Sequence, residues 1–193
     1  MSVGRRLSYL VEYSGGFGSS GKASVGAKSK GNNVPVSCHR WQPPMVNCVK
    51  LNVDASFNVI SNWFSIGMIL RGHLGNFLHG KVARFPMVNS AFEAEAFAIA
   101  EGLSWLFSLP YKDVTIESDS MLSVQAINRC NHNALEVGHV LAMLQARQDV
   151  SIVFVKRQAN KVAHEMTHLL CSQNTFTSPP LMLVEFMPYD STF

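Results

Sequence analysis

Lys50-Leu51-Asn52-Val53-Asp54-Ala55-Ser56 is the stretch that decides the fold of this 193-residue chain. Apolar and polar residues alternate along it from Val49 onward, which predicts a half-buried β-strand with Asp54 on its polar face. Two more strand-like runs follow at 64–70 and 77–83, and the turn between them favours a hairpin. The sequence therefore predicts a meander of three antiparallel strands.

Downstream of the meander, helical and strand-like patterns alternate. Short strands are predicted at 114–118 and 150–155, and helices at 90–107, 119–129, 135–148 and 159–171. A meander followed by strand–helix–strand crossovers predicts an α/β fold. We expect a mixed five-stranded sheet, with a three-strand antiparallel meander plus two parallel strands, and helices on both faces.

Composition separates a central domain from the two ends of the chain. Residues 1–46 carry six Lys/Arg against one Glu, whereas the remaining residues carry ten Lys/Arg against twelve Asp/Glu. We expect a flexible, basic, Gly/Ser-rich leader at 1–40, a domain at 46–171 and a C-terminal extension at 172–193. The leader is interpreted as a linker, with an organelle transit peptide as the alternative because it is basic and poor in acids.

Several classes of protein are excluded by what the sequence lacks. No apolar run approaches the roughly 20 residues of a membrane helix, so no membrane partner is expected. The four cysteines show neither a disulfide framework nor zinc-site spacing, which favours the nucleus or cytoplasm as the location. The sequence also has no P-loop, no dinucleotide-binding GxGxxG, no HExxH and no GxSxG.

Three carboxylates stand where a fold of this kind gathers functional groups. Asp54 lies late in the first strand, and Asp119 ends the fourth. In the first helix, Glu95 falls about 40° from Ile99, at the edge of the apolar arc, whereas the other acids of that helix fall well outside it. A carboxylate that faces a core is costly unless it is paired or metal-bound. The three acids therefore form a candidate site for a hard cation such as Mg²⁺.

Each acid also has an ordinary structural interpretation. Asp54 could end a strand at a turn, and Asp119 could cap the following helix. Glu95 could pair with a basic neighbour. Taken singly these alternatives compete with the cation site, and only the combination of the three acids favours it.

The ordered motifs resemble the ribonuclease H-like domain that is common in plant proteins related to retroelement reverse transcriptases. The matching stretches, which together span about two-thirds of the chain, are Trp41–Pro44, Lys50–Ser56, Glu93–Ala98, Ile116–Ser120 and Val155–His164. The resemblance implies nucleic acid binding and cleavage of the RNA strand of an RNA–DNA hybrid by two-metal-ion hydrolysis.

The resemblance also assigns roles to individual residues. It places metal-binding catalytic acids on Asp54, Glu95 and Asp119, and it implies two Mg²⁺ or Mn²⁺ ions. The fourth acid of the family falls on His164, a poorer ligand for Mg²⁺. The asparagines that recognise the RNA 2′-hydroxyl in active relatives fall on Ala91 and Phe92. Nucleic-acid contacts are predicted for Ser56, Lys156, Arg157 and Lys161.

These departures leave three functions open. The first is a metal-dependent endonuclease that acts on RNA–DNA hybrids as a monomer, and it is favoured by the three acids in order. The second is a catalytically weak or inactive nucleic-acid-binding module derived from a retroelement, which His164 favours. The third is a domesticated structural or interaction domain, which the slightly acidic character of the domain favours.

Overall fold

The predicted alternation of strands and helices is realised in a computed structural model that describes residues 40–58, 62–86, 88–130, 135–169 and 173–187. The strands are β1 (Val49–Asn58), β2 (Trp63–Arg71), β3 (Phe77–Pro86), β4 (Val114–Ser118), β5 (Val150–Phe154) and β6 (Gln173–Phe176). The helices are α1 (Ala91–Leu106), α2 (Met121–Asn128), α3 (Leu135–Ala146), α4 (Lys161–Thr167) and α5 (Leu181–Val184). Apart from Arg40, the predicted leader lies outside the described residues.

The strands form one mixed sheet in the order β5-β4-β1-β2-β3-β6. The meander β1–β2–β3 is antiparallel, whereas β4 pairs parallel with β1 and β5 pairs parallel with β4. The predicted α/β class with both kinds of pairing is confirmed. The predicted count of five strands is one too low, because β6 pairs antiparallel with β3 and places Phe176 opposite Gly80. β6 has only four residues. Whether so short a segment forms a strand depends on the strand it pairs with more than on its own sequence pattern.

Helices cover both faces of the sheet because β2 is apolar on both of its sides. Phe64, Ile66 and Met68 point to one side and join the large core formed with α1, α2 and α3. Ile69 points to the other side and packs in a smaller core that includes Met166 of α4. Side chains of successive residues point to opposite faces of a strand, so neighbouring apolar residues of β2 pack in different cores.

Helix α1 is held close to the central strand by its local sequence. Ser90 caps its N-terminus by accepting a hydrogen bond from the backbone N–H of Glu93 at 3.2 Å, and the Glu93 carboxylate accepts one from the N–H of Asn89 at 2.9 Å. A Cβ added at Gly102 would lie 2.9 Å from Val53 Cγ1, so only glycine allows this approach of α1 to β1. The contact brings the helix, and Glu95 on its inner side, against the strand that carries Asp54.

The C-terminal part of the described chain packs against the sheet as well. A 3₁₀ turn at Arg157–Ala159 precedes α4, so the predicted helix at 159–171 is shorter than expected. Leu183 of α5 is fully buried in the smaller core. Within the part of the chain that the structure describes, no helix has the length and apolar character needed to cross a membrane.

Candidate metal centre

Three carboxylates from separate elements converge at one end of the central strands. Asp54 lies in β1 and is only 1% exposed, Glu95 lies on α1, and Asp119 follows β4. Because β1 and β4 pair in parallel with Asn52 opposite Glu117, Asp54 in β1 lies level with Asp119 just beyond the end of β4. One oxygen from each acid lies within 4.8 Å of the other two. The structure therefore brings together the three acids that the sequence singled out.

The ordinary interpretations of these acids do not match the structure. Asp54 is not at a turn, since it is paired with Gly67 inside a ten-residue strand. The cap of α2 is Ser120, which accepts a hydrogen bond from the N–H of Ser123, and not Asp119. Glu95 forms no ion pair with any described residue, and its Oε2 has no hydrogen-bond partner among them. None of the three carboxylates therefore has the structural role that its local sequence suggested.

Burial and mutual repulsion make the ionised cluster unfavourable when no cation is near. Burial, followed by the charges of Glu95 and Asp119, raises the pKa of Asp54 from 3.8 to about 9. Burial and the charge of Asp119 raise the pKa of Glu95 from 4.5 to about 8. These directions are typical of buried acids gathered close together at a functional site.

The residues present fit a hard divalent cation. Asp54 Oδ1 and Glu95 Oε2 are buried carboxylate oxygens without a hydrogen-bond partner in the described part of the chain. A buried, unpaired anionic oxygen is costly, and a metal ion is one of the few groups that satisfies it. Mg²⁺ and Mn²⁺ prefer oxygen ligands of this kind. A divalent cation would be held by Asp54, Glu95 and Asp119.

Two basic side chains border the carboxylates. His164 Nδ1, on α4, lies 2.8 Å from Asp54 Oδ2, so the predicted fourth position does face the centre. Arg157 Nη1 lies 3.4 Å from Asp119 Oδ2, and its side chain is 63% exposed. Burial and the charge of Arg157 lower the pKa of His164, which favours the neutral imidazole. The rim of the site therefore contains the exposed guanidinium of Arg157 and the imidazole of His164.

The other residues predicted to contact nucleic acid are placed differently. Lys156 begins the 3₁₀ turn after β5, in the same connection as Arg157. Lys161 is exposed, and its Nζ lies 4.4 Å from the centroid of the Phe186 ring. Ser56 follows Asp54 on the same side of β1. Of the three basic candidates, only Arg157 contacts a carboxylate of the centre.

Asn160 is a site residue that the sequence analysis did not single out. Its fully buried amide donates to Asp119 Oδ1 at 2.9 Å and to the backbone carbonyl of Val53 at 2.9 Å. Asn52 Nδ2 in turn donates to Asn160 Oδ1 at 3.1 Å. Asn160 thus ties one acid of the centre to the strand that carries another. The available signal was its presence in the matched stretch ahead of His164.

Behind Asn160 lies a buried ionic network. Arg71 Nη2 donates to Asn52 Oδ1 at 2.7 Å, and Asn52 Nδ2 donates to Glu117 Oε2 at 2.9 Å. Lys50 Nζ lies 2.7 Å from Glu117 Oε1. Burial lowers the pKa of Arg71 to about 9, which still leaves the guanidinium charged at neutral pH, and the Trp41 ring covers it at 3.5 Å. The network gives Asn52 and Asn160 a single orientation.

The raised pKa values predict that the metal-free protein loses stability as pH rises. An acid with a folded-state pKa above its unfolded value contributes stability at low pH, and that contribution is lost as pH rises through the folded value. For Asp54 and Glu95 this window runs from about 4 to about 9. In urea unfolding with chelator, Asp54→Asn should raise the free energy of unfolding at pH 8.5 by at least ~2 kcal/mol and leave it little changed at pH 4.

The matched control is Glu101→Gln, also on α1, where the carboxylate pairs with Lys81 of β3 at 3.6 Å. This variant should keep the pH dependence of the parent protein. Equal pH dependence in Asp54→Asn and in the parent protein would contradict the raised pKa of Asp54.

A mixed sheet flanked by helices, with acids converging where its parallel central strands end, defines a ribonuclease H-like domain. Solved structures agree on the fold. RNase H1 from Halobacterium salinarum NRC-1 is 18% identical, with a TM-score of 0.55 over 62% of this chain and 93% of that one. LC11-RNase H1 in complex with RNA/DNA hybrid is 19% identical, with a TM-score of 0.54 over 61% and 92%. The N-terminal RNase H domain of a Mycobacterium tuberculosis protein is 16% identical, with a TM-score of 0.54 over 62% and 90%.

The family model described as reverse transcriptase-like matches residues 52–169, which is more than half of the chain. The protein therefore belongs to the reverse transcriptase-like family, and its domain has the ribonuclease H-like fold. No curated protein sequence matches it significantly. The matched segment contains all three converging acids as well as His164.

Proposed function

We propose that this protein binds RNA–DNA hybrids and cuts their RNA strand by metal-dependent hydrolysis. The observation that carries the proposal is the convergence of Asp54, Glu95 and Asp119 within 4.8 Å, with two buried carboxylate oxygens left without a partner. A hybrid as the ligand is supported by LC11-RNase H1, a protein of the same fold in complex with RNA/DNA hybrid.

The residues of the site have separable tasks in this mechanism. Asp54, Glu95 and Asp119 would hold the divalent ions, and Asn160 fixes the Asp119 carboxylate by donating to its Oδ1. Two such ions, when bound, supply a Lewis acid that activates water and neutralises charge on the leaving oxygen. Arg157 is exposed enough to release Asp119 and contact a phosphate of the substrate instead.

The test is cleavage of an RNA–DNA hybrid by the full chain, with a different label on each strand. Mg²⁺ and Mn²⁺ are each added, with EDTA as the metal-free control, and RNA–RNA and DNA–DNA duplexes serve as substrate controls. We expect cutting of only the RNA strand of the hybrid, and only with metal. A folded protein that leaves every hybrid intact with both metals would overturn the hydrolase and retain only the possibility of binding.

A second candidate function is hybrid binding with little or no catalysis. The specific observation is that two acids already have protein partners: His164 contacts Asp54 at 2.8 Å and Arg157 contacts Asp119 at 3.4 Å. These contacts compete with metal binding. Salt-dependent affinity for hybrid without turnover in either metal would favour this candidate.

Replacing His164 with Asp should strengthen Mg²⁺ binding and Mg²⁺-supported cleavage. The substitution puts a carboxylate where the imidazole contacts Asp54, and carboxylate oxygens are better Mg²⁺ ligands than imidazole nitrogen. We expect the Mg²⁺ concentration for half-maximal cleavage to fall by about tenfold. The measurement is a Mg²⁺ titration of the cleavage rate.

His139→Asp, on the exposed side of α3, is the matched control and should leave the titration unchanged. If the half-maximal Mg²⁺ concentration is the same for His164→Asp and the parent protein, residue 164 does not contact the ions.

A further inference from the structure

Two histidines face each other on successive turns of α4 and at its C-terminal end. The Nε2 atoms of His164 and His168 lie 3.4 Å apart, whereas the centroids of the two rings lie 4.9 Å apart. The nitrogen edges are therefore nearer to each other than the ring centres are. The ring planes are almost perpendicular, at 88°. Such a pair resembles two ligands turned toward a common point.

Asp54 orients the first of these rings. Its Oδ2 lies 2.8 Å from His164 Nδ1, so the Asp54 carboxylate accepts the Nδ1–H when it is ionised, and Nε2 is then the ring nitrogen left for a metal ion. A carboxylate that fixes the tautomer of a histidine in this way is the usual support of a metal-binding imidazole. This nitrogen is the one that lies 3.4 Å from Nε2 of His168.

The spacing of the two nitrogens matches one tetrahedral metal ion. Ligand nitrogens at about 2.0–2.1 Å from Zn²⁺ lie about 3.4 Å from each other when the coordination angle is tetrahedral. Paired imidazoles bind Zn²⁺, Co²⁺ and Ni²⁺ much better than Mg²⁺, which prefers oxygen. The donors at this position therefore differ in chemistry from the neighbouring carboxylates.

We propose that His164 and His168 together bind a divalent transition-metal ion of the Zn²⁺ and Co²⁺ class, at a site next to the carboxylate centre but separate from it. The proposal goes beyond the nuclease function, because it requires neither nucleic acid nor cleavage. His168 is exposed and the His164 side chain is 26% exposed, so an ion reaches both nitrogens from solvent. The remaining coordination positions are open to water or to a phosphate oxygen.

Arg157 is the group that opposes this ion. Its Nη2 lies 3.1 Å from His164 Nε2 and 3.2 Å from His164 Nδ1, so the guanidinium lies against the ring. The ion displaces it, which the 63% exposure of the side chain allows. Removing the positive charge with Arg157→Gln should therefore tighten binding of the ion severalfold.

The experiment is a Co²⁺ titration of the full chain in 10-fold or greater excess of Mg²⁺ over Co²⁺, followed by the visible ligand-field absorption of Co²⁺. Four variants are compared with the parent protein: His168→Gln, His139→Gln as the matched exposed control, Arg157→Gln, and the double variant Glu95→Gln/Asp119→Asn. Thermal unfolding verifies that each variant folds. His168 is exposed, so its replacement is not expected to disturb folding.

The expected result is Co²⁺ absorption in the parent protein, in His139→Gln and in the double variant, with tighter binding in Arg157→Gln. The dissociation constant should rise at least about tenfold in His168→Gln, which loses one of the two protein ligands. Equal Co²⁺ affinity in His168→Gln and the parent protein would overturn the proposed site. Loss of Co²⁺ binding in the double variant but not in His168→Gln would also overturn it. Failure of hybrid cleavage would leave these outcomes unchanged, so the two proposals fail separately.

Discussion

Replacing Asp119 with Asn should lower the rate of RNA-strand cleavage by at least about a thousandfold, while the protein stays folded. The carboxylate is only 6% exposed and converges with Asp54 and Glu95, so it is one of three acids available to a divalent ion there. Asn has the same shape but no charge, and it provides a much weaker ligand for Mg²⁺. Its side-chain oxygen still accepts the hydrogen bond from Asn160, which preserves the local structure.

The matched control is Asp113→Asn at the other end of the same strand. Asp113 is exposed and has a positive φ of 52°, a conformation that Asn adopts readily. We expect cleavage by this variant to equal that of the parent protein. Hybrid binding and urea unfolding are measured for both variants. Cleavage by Asp119→Asn at the parent rate would exclude Asp119 as a metal-binding residue.

Replacing Gly67 with Ala should destabilise the protein by ~3 kcal/mol and disturb the metal centre at the same time. An added Cβ would clash with the carbonyl oxygen of Ala163 and would lie 2.8 Å from the backbone nitrogen of Thr167, so α4 itself must move. Gly67 is paired with Asp54 in the sheet, and α4 carries the imidazole that contacts Asp54. The free energy of unfolding in urea and the cleavage rate should fall together.

Gly138→Ala is the opposite case and the control. Apart from its chain neighbours and the nearby backbone of α3 itself, no atom of the described residues lies within 4 Å of a Cβ built at Gly138, which is inside α3. This substitution should stabilise the protein by ~0.5–1 kcal/mol through helix propensity alone. A Gly67→Ala variant as stable as Gly138→Ala would contradict the close packing of α4 on β2.

The elements that could be predicted from the sequence are those with strong local patterns. β4 begins and ends where alternation placed it, and α1 begins one residue after its predicted start because Ser90 is the cap. The orientation of Glu95 could also be predicted from the sequence of the helix alone, because its place at the edge of the apolar face shows that it is the acid facing the sheet. Local periodicity was sufficient in these cases because burial repeats along the element itself.

Interactions between distant residues could not be predicted in this way. Asn160 contacts Asp119 across 41 positions of sequence, and Asn52 contacts Glu117 across 65. A buried asparagine and an exposed one look alike in a sequence, because only the folded partner satisfies the amide. Arg71 has the same difficulty, since a strand that ends in arginine usually ends in solvent. These residues became visible only with the tertiary structure.

Asp119 shows how competing local interpretations are decided by tertiary structure. An Asp before Ser120 and an apolar run is a good cap in isolation, and Ser120 is an equally good one. The structure uses Ser120, which leaves the carboxylate of Asp119 for the metal centre. Local sequence therefore permitted either Asp119 or Ser120 as the cap of α2. In the folded protein Ser120 is the cap, while Asp119 lies near Asp54 of β1 and accepts a hydrogen bond from Asn160.

The pairing of β6 with β3 has a consequence for how this protein behaves in solution. Without β6, the row of unpaired backbone N–H and C=O groups between Gly80 and Ala83 would form an open sheet edge, a ready template for pairing with another molecule. A fragment that ends at residue 171 would expose this edge together with the apolar surface that Leu183 covers. The C-terminal segment thus protects the domain from aggregation by covering this edge and this apolar surface. A fragment of this chain that is meant to stay in solution needs to retain it.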